Sequence, residues 1–477
     1  MKILFAASEA APFMKSGGLG DVLEALPTEL AKDASLEIAV VLPLYKKIKQ
    51  NETLGLKFKT SFALPSPLSE SYVGVFVKKI KRVTYYFIDN EFYFGRDGAP
   101  YGHGDDGARF AFFSKAILES FQHLDYYPDV IHLNDWQTAT VPVYLKAFYE
   151  TIPAYSRIRT VFTIHNIEYQ GAMPESFARD AMGLSGWQDD VMHHDFGVNF
   201  MKSAVVLADR VTTVSRTYAH EIKYPYFSHG LDGVLREHEY KLSGIVNGIN
   251  TTLFNPKTDK ALPANFSSTD LSGKAICKAE LQKELGLPVR EDVPLIAMIT
   301  RLVSHKGLEL VECVLNDILS RDVQLVVLGT GDERFERLFH FAQYCHPDKM
   351  SAQIRFDGAL ASRIYAGSDL FLMPSKSEPC GLSQLIAMRY GTIPIVRETG
   401  GLYDTVPALN TETLEGKGFT FKVFNAHDML GAIDRACAFF RDGQKLARHR
   451  RALVRYNSSW KASAEEYLAI YKSLCDS

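Results

Sequence analysis

The sequence predicts an α/β protein of two doubly wound domains that face one another across a cleft. Three observations carry that prediction. Short, nearly continuous apolar runs alternate with helical patterns along most of the 477 residues. Strands that are apolar throughout and separated by helices form parallel sheets covered on both faces. The alternation lapses once, over 252–272, where Pro, Asn, Ser and Thr collect as they would in a linker, and then restarts. The chain is also too long for a single core at roughly 100–200 residues per domain.

The first domain is assigned to 1–250. Its strand candidates are 2–7 (KILFAA), 38–43, 83–89 (VTYYFID), 130–135 (VIHLND), 160–165 (TVFTIH), 210–215 and 243–247. Leu19, Val22, Leu23, Leu26 and Leu30 recur at helical spacing over 19–31, and 107–124 is a second helix rich in Phe and Leu. The second domain, 251–457 with the linker included, has strand candidates at 294–300, 323–329 (VQLVVLG), 354–358, 370–374 and 392–397. The tail 459–475 forms one further helix, with Ser459 as a candidate N-cap, and can dock on either domain.

Composition narrows the function. The chain is 46% hydrophobic and 23% charged with a formal net charge of -3, so no general basic field draws in nucleic acid or an acidic membrane surface. The apolar start meets Glu9 too soon for a signal-peptide core, and no window approaches the ~18 apolar residues of a membrane span. All six cysteines lie in the second half without a C-x-x-C spacing, which argues against a disulfide framework and a zinc site. The expectation is a protein of the reducing cytosol.

In open parallel sheets ligands bind beyond the carboxyl ends of the strands. Three such places stand out. After the first strand comes Lys15-Ser16-Gly17-Gly18-Leu19-Gly20-Asp21, where successive glycines and a helix start suit an anion. After Thr300 come Arg301, Lys306 and Gly307; two cations opposing a helix dipole make sense around a diphosphate, with Arg as a fork and Lys as a point charge. The third place runs from Glu378-Pro379-Cys380-Gly381-Leu382 to Thr399-Gly400-Gly401-Leu402, offering a carboxylate for sugar hydroxyls and backbone N–H groups for a phosphate. Asp135-Trp136 and His165-Asn166 end two strands of the first half, and Trp136 and Tyr169 are rings that could stack on sugar faces.

Taken together these blocks resemble a known family. Lys15-Ser16-Gly17-Gly18-Leu19 is similar to the K-x-G-G-L signature of bacterial glycogen synthases and plant starch synthases. Asn134-Asp135-Trp136, Thr163-Ile164-His165-Asn166, Val246-Asn247-Gly248-Ile249, the Arg301 and Lys306 segment, Glu378-Pro379-Cys380-Gly381-Leu382 and Thr399-Gly400-Gly401-Leu402 follow in the family's order. The resemblance implies the GT-B architecture, two Rossmann-like domains with acceptor glucan on the first and nucleotide on the second, and a C-terminal helix (458–477) that crosses back to the first. It implies transfer of glucose from ADP-glucose, the carrier bacterial members favour, to the non-reducing-end 4-hydroxyl of an α-1,4-glucan. Configuration is retained and ADP released, with no cofactor and no strict need for a metal.

By the same resemblance Lys15, Arg301 and Lys306 surround the diphosphate, and Gly17, Gly18, Asp21, Cys380, Gly381, Leu382, Thr399, Gly400 and Gly401 line the donor. His165, Asn247 and Glu378 position the glucose, Asp135 lies near the acceptor, and Phe356 packs on the base. Three places depart from the family pattern: Ile386 where related transferases carry a second Glu, Gln137 after Asp-Trp, and Lys376-Ser377 before Glu378. A nicotinamide oxidoreductase is the rival from another class; Gly329-Thr330-Gly331 supports it, but the third glycine is replaced by Arg334. A non-catalytic glucan-binding protein is a third reading.

Overall fold

A computed structural model describes residues 1–65 and 70–476. The chain divides into two compact units, Met1–Asn247 joined by the segment from Trp460 onward, and Gly248–Ser459.

The strands of the first unit are β1 (Lys2–Ala6), β2 (Glu37–Pro43), β3 (Lys57–Pro65), β4 (Glu70–Ile80), β5 (Val83–Asp89), β6 (Val130–Asn134), β7 (Arg159–Ile164), β8 (Ala172–Pro174), β9 (His193–His194), β10 (Gly197–Asn199), β11 (Arg210–Thr213) and β12 (Leu242–Gly244). Nine of them form one sheet in the order β12-β11-β7-β6-β1-β2-β5-β4-β3, and β8, β10 and β9 form a small antiparallel sheet. From β12 to β5 all neighbours are parallel, and β1, β2, β6 and β7 are buried almost throughout. The helices Gly18–Leu30 and Asp106–Leu124 lie within two residues of the segments expected from periodicity.

This sheet is not wholly parallel, as the apolar runs alone implied. β3 and β4 pair antiparallel with each other, and β4 pairs antiparallel with β5. Their residues alternate polar and apolar, and much of β3 is exposed. Such an edge hairpin needs only one covered face, so it lacks the continuous apolar run that marks a central strand.

The second unit has six parallel strands: β13 (Leu295–Ile299), β14 (Gln324–Leu328), β15 (Met350–Gln353), β16 (Leu370–Met373), β17 (Ile393–Arg397) and β18 (Phe419–Phe421), in the order β15-β14-β13-β16-β17-β18. The strand expected at 354–358 is displaced: β15 precedes it. Asp357 instead accepts a hydrogen bond from Leu360 N at 2.9 Å and caps the helix Gly358–Gly367. The short edge strand β18 carried too little periodicity to be read. Residues 252–271 hold no helix or strand but bury Leu262 and Phe266 in this unit's core.

The C-terminal helix Lys461–Cys475 belongs to the first unit. Ser459 does not cap it; Trp460 occupies the cap position without a side-chain bond, while Ser459 pairs with Ile249 as an isolated bridge. What holds the helix is a buried polar chain. Tyr471 OH lies 2.6 Å from His132 Nδ1, His132 Nε2 lies 2.6 Å from Thr163 Oγ1, and that hydroxyl lies 2.5 Å from Thr212 Oγ1. Burial drives the His132 pKa down to about 3, so the ring is neutral and satisfied at both nitrogens. Removing the phenolic oxygen orphans a buried ring nitrogen, a loss of ~1–3 kcal/mol. Tyr471→Phe is therefore expected to lower the unfolding free energy by that amount, read as a lower urea midpoint with unchanged m by circular dichroism.

Candidate active site

Each unit has one topological switch point, where the chain stops adding strands on one side of its starting strand and crosses to the other. In the first sheet it falls between β1 and β6, and in the second between β13 and β16. Crevices form there because the two outgoing loops diverge. The sequence-derived candidates fall largely in the loops that leave these four strands and their neighbours β7 and β17.

In the first unit the loop after β1 is organised by a residue the motif reading passed over. Glu9 is buried, and its carboxylate accepts hydrogen bonds from Ser16 N (2.7 Å), Ser16 Oγ (2.6 Å) and Gly20 N (3.1 Å). These bonds fold the Lys15–Gly18 turn back on the strand end. The available signal was an acid two residues beyond an otherwise apolar strand run. The helix that follows begins at Gly18, with Gly17 at the cap and no side-chain capping bond. Lys15 Nζ donates to Asp21 Oδ1 at 2.6 Å; both groups are partly exposed, so a bound anion can compete for the ammonium.

After β6 and β7 the backbone brings two candidates, Asp135 and His165, together. Asp135 has φ +58°, a conformation that costs a non-glycine residue ~1–3 kcal/mol and concentrates at functional sites. Its Oδ1 accepts from His165 N at 2.7 Å and from Asn166 N at 3.3 Å. The carboxyl keeps partial solvent access, yet burial pushes its pKa up to about 7; the two backbone bonds oppose that shift and nearby Glu9 adds to it. His165 Nε2 lies 2.9 Å from Asn134 Oδ1, and burial drives the His165 pKa down to about 3. Asn247 is buried with its Oδ1 unsatisfied by any protein donor among the described residues, as a ligand-facing acceptor would be.

Trp136 is not a sugar platform. It is buried and packs edge-on to Phe110 with centroids 5.2 Å apart, so it belongs to the core beneath the loop; Tyr169 is half-exposed. Gln137 is likewise buried.

In the second unit the loop after β13 carries Arg301, exposed, and Lys306, whose Nζ donates to Glu378 Oε2 at 2.7 Å. Ser375 Oγ donates to the same oxygen at 2.9 Å. Glu378 is only 6% exposed and lies in the loop between β16 and the helix Ser383–Arg389, so it is not a first-turn acid. Gly307 has φ +75°, and a Cβ there would overlap the carbonyl oxygen of Pro374; Gly400, at φ +44°, would overlap the carbonyl oxygen of Glu378. These glycines let three strand-end loops lie against one another. Gly401 N is already engaged, donating to Glu378 O at 3.0 Å, so it braces the Glu378 loop rather than offering a free N–H to a phosphate.

Cys380 and Thr399 are buried, Gly381 has φ +72°, and Leu382 packs against the core. Phe356 is 91% exposed, a bare ring on the loop after β15. Ile386 is buried among core residues, so a second Glu there would be an unpaired buried charge. Lys376 N donates to His305 O at 2.9 Å, tying that departure to the Lys306 loop. The 329–331 turn pairs with this loop too, since Leu302 N donates to Thr330 O at 2.9 Å; it serves packing rather than a dinucleotide fingerprint. A cavity of about 500 Å³ between residues 261–263, the helix Ser272–Glu284 and Arg363 shares no lining residue with these loops. Among the described residues no three His, Cys, Asp or Glu side chains are grouped to hold a metal, and no helix is long and apolar enough to cross a membrane.

The titrations carry opposite signs. Between an unfolded pKa near 3.8 and a folded pKa about 7, the native state holds a proton on Asp135 that the unfolded chain has lost, so this group's contribution to stability falls as pH rises through that window. For His132 and His165 the unfolded state binds the extra proton below 6.5, so their contribution is lost as pH falls from there toward about 3. Asp135→Asn keeps the acceptor oxygen but removes the first titration. Its stability relative to the parent is expected to rise between pH 4 and 7, by on the order of a few kcal/mol, in urea melts at stepped pH.

Comparison with known proteins adds the lineage. The family model described as starch synthase catalytic domain matches residues 2–237, and that of glycosyl transferases group 1 matches residues 281–447. A glycogen synthase of Bacillus cereus is 47% identical and one of Exiguobacterium sibiricum 46% identical, each over 100% of both chains. The catalytic domain of starch synthase IV from Arabidopsis thaliana, solved bound to ADP and acarbose, superimposes with a TM-score of 0.92 at 33% identity, covering 100% of this chain and 99% of that one. Sucrose-phosphate synthase from Thermosynechococcus elongatus, at 18% identity and a TM-score of 0.60 over 99% of this chain and 98% of its own, shares the fold alone.

Proposed function

This chain belongs to the glycogen and starch synthase family of retaining GT-B glucosyltransferases, and from that premise we propose that it extends an α-1,4-glucan with glucose drawn from ADP-glucose. The observation that carries the reading is the Lys306–Glu378 pair at the switch point of the second unit, flanked by exposed Arg301. It supports a site that takes an anionic leaving group and a polyhydroxylated sugar side by side.

An ammonium has three donors. One of those on Lys306 satisfies Glu378, which leaves the others for a diphosphate while the carboxylate stays compensated. Arg301, with its planar fork, suits a phosphate pair. As the bond from glucose C1 to the β-phosphate oxygen breaks, negative charge grows on the departing ADP, and these preorganised cations stabilise it. The glucan O4 forms its bond to C1 on the same face, and its proton passes to the departing phosphate oxygen, so atoms and charge balance without an enzyme nucleophile. In the second unit Glu378 orients sugar hydroxyls and Phe356 offers a ring to the adenine; in the first, His165 and Asn247 supply acceptors for sugar hydroxyls and Asp135 suits the acceptor glucan. In this reading side-chain cations stand in place of a metal. None of the six cysteines forms a disulfide, which fits a cytosolic setting.

The deciding experiment is incorporation of labelled glucose into glycogen from ADP-glucose and UDP-glucose, side by side, with a chelator present. ADP-glucose is expected to give the faster transfer. Transfer from UDP-glucose alone would overturn the donor assignment, and glycogen binding without transfer from either would leave a glucan-binding protein. Lys306→Ala is expected to lower kcat by ~10²–10³ while glycogen binding and the circular dichroism spectrum persist. Near-parental turnover would remove Lys306 from the leaving-group site.

A further inference from the structure

Asn134 ends β6 and is 1% exposed. Its Nδ2 donates to Ala6 O and to His132 O, both at 3.1 Å. A backbone carbonyl can only accept, so the atom facing two of them is the NH₂ group, and the amide orientation follows from the geometry. The remaining atom, Oδ1, also only accepts, and it lies 2.9 Å from His165 Nε2. For that contact to be a hydrogen bond, Nε2 must carry the proton. A neutral imidazole protonated at Nε2 has a bare lone pair on Nδ1, and no protein group is bonded to Nδ1 among the described residues.

We propose that Asn134 is a positioning residue that locks His165 as the Nε2–H tautomer, making Nδ1 an acceptor for a hydroxyl of the bound sugar. The lock reaches further into the sheet. Asn134 is clamped to β1 through Ala6 O and to its own strand through His132 O, and the His132 ring is itself held by Tyr471 and Thr163. The ring of His165 is thus oriented by elements far apart in the chain. Burial supports the neutral form. The ionisable groups around it are Asp135, whose Oδ1 accepts from the His165 backbone, Glu9 and Tyr218, which act on Asp135 or sense it, Tyr101, and the neutral His132. None of them places a fixed cation on the ring. An imidazolium or an Nδ1–H tautomer would instead present a donor to the ligand, so the lock sets the polarity of the contact. The role of Nδ1 toward a sugar rests on the transfer reading; the tautomer does not.

The test is nitrogen NMR of the full chain labelled with ¹⁵N-histidine, with the His165→Gln spectrum used for assignment. His165 is expected to show a pyrrole-type Nε2 and a pyridine-type Nδ1 from pH 6 to 9. A protonated Nδ1, as tautomer or as cation, overturns the proposal without any variant. In Asn134→Ala the tautomers should mix and kcat for glucosyl transfer fall ~10–100-fold; an unchanged tautomer and unchanged kcat there also overturn it. In Asn134→Asp the added carboxylate should raise the His165 pKa by ~1–3 pH units. The acid limb of kcat/KM then moves upward, which loss of packing alone would not produce. Full transfer by His165→Gln would remove the contact from Nδ1 to the sugar, while the spectra would still report the lock; loss of transfer by the parent chain itself would count against the transfer reading.

Discussion

The strand-end loops of the second unit converge on one buried ion pair, Lys306 with Glu378. Glu378 is almost fully enclosed, and a buried charge of that kind persists only when paired and hydrogen-bonded. Lys306 and Ser375 supply both. For Lys306 to reach it, the loop after β13 must lie against the end of β16, which Gly307 permits beneath Pro374 O. For the Glu378 backbone to be held in turn, the loop after β17 must close in, which Gly400 permits and the bond from Gly401 N secures. One electrostatic requirement therefore sets the conformation of three strand-end loops. Removal of either partner leaves a charge rather than a gap.

The first unit solves the same topological problem with other chemistry. Its switch point carries a buried carboxylate too, but Glu9 is satisfied by two N–H groups and a hydroxyl instead of a cation. His132 and His165 are neutral, and Asp135 ionises only near neutrality. Oriented neutral donors and acceptors of this kind suit the hydroxyls of a sugar. The compensated ion pair of the other unit, with Arg301 exposed beside it, suits an anion.

Much of this was legible in local pattern. The apolar runs of β1, β2, β6, β7, β13 and β14 mark central strands because both faces are covered, and the helices that follow them repeat at 3.6 residues. Strand-end glycines beside charged residues then point to the loops that matter. The β3–β4 hairpin escaped because an edge strand covered on one face only resembles an amphipathic loop. The strand expected at 354–358 lies earlier, at β15, and Asp357 instead caps the following helix through its side chain. Trp136 looked like a platform by its neighbours, yet its ring is packed against Phe110, a contact 26 positions away that no window of sequence displays.

The class of fold, the two-domain division of the apolar pattern, the family and the chemically able residues could all be read along the chain, because each is written in local spacing and residue type. Folding was needed to set the state of those residues: that Lys306 is paired with Glu378, that Glu9 rather than Lys15 shapes the glycine turn, and that Nε2 of His165 faces Asn134 Oδ1. Those states depend on burial and on partners up to hundreds of residues away. A side chain's charge, tautomer and orientation are set by its surroundings, and the surroundings exist only once the chain has folded.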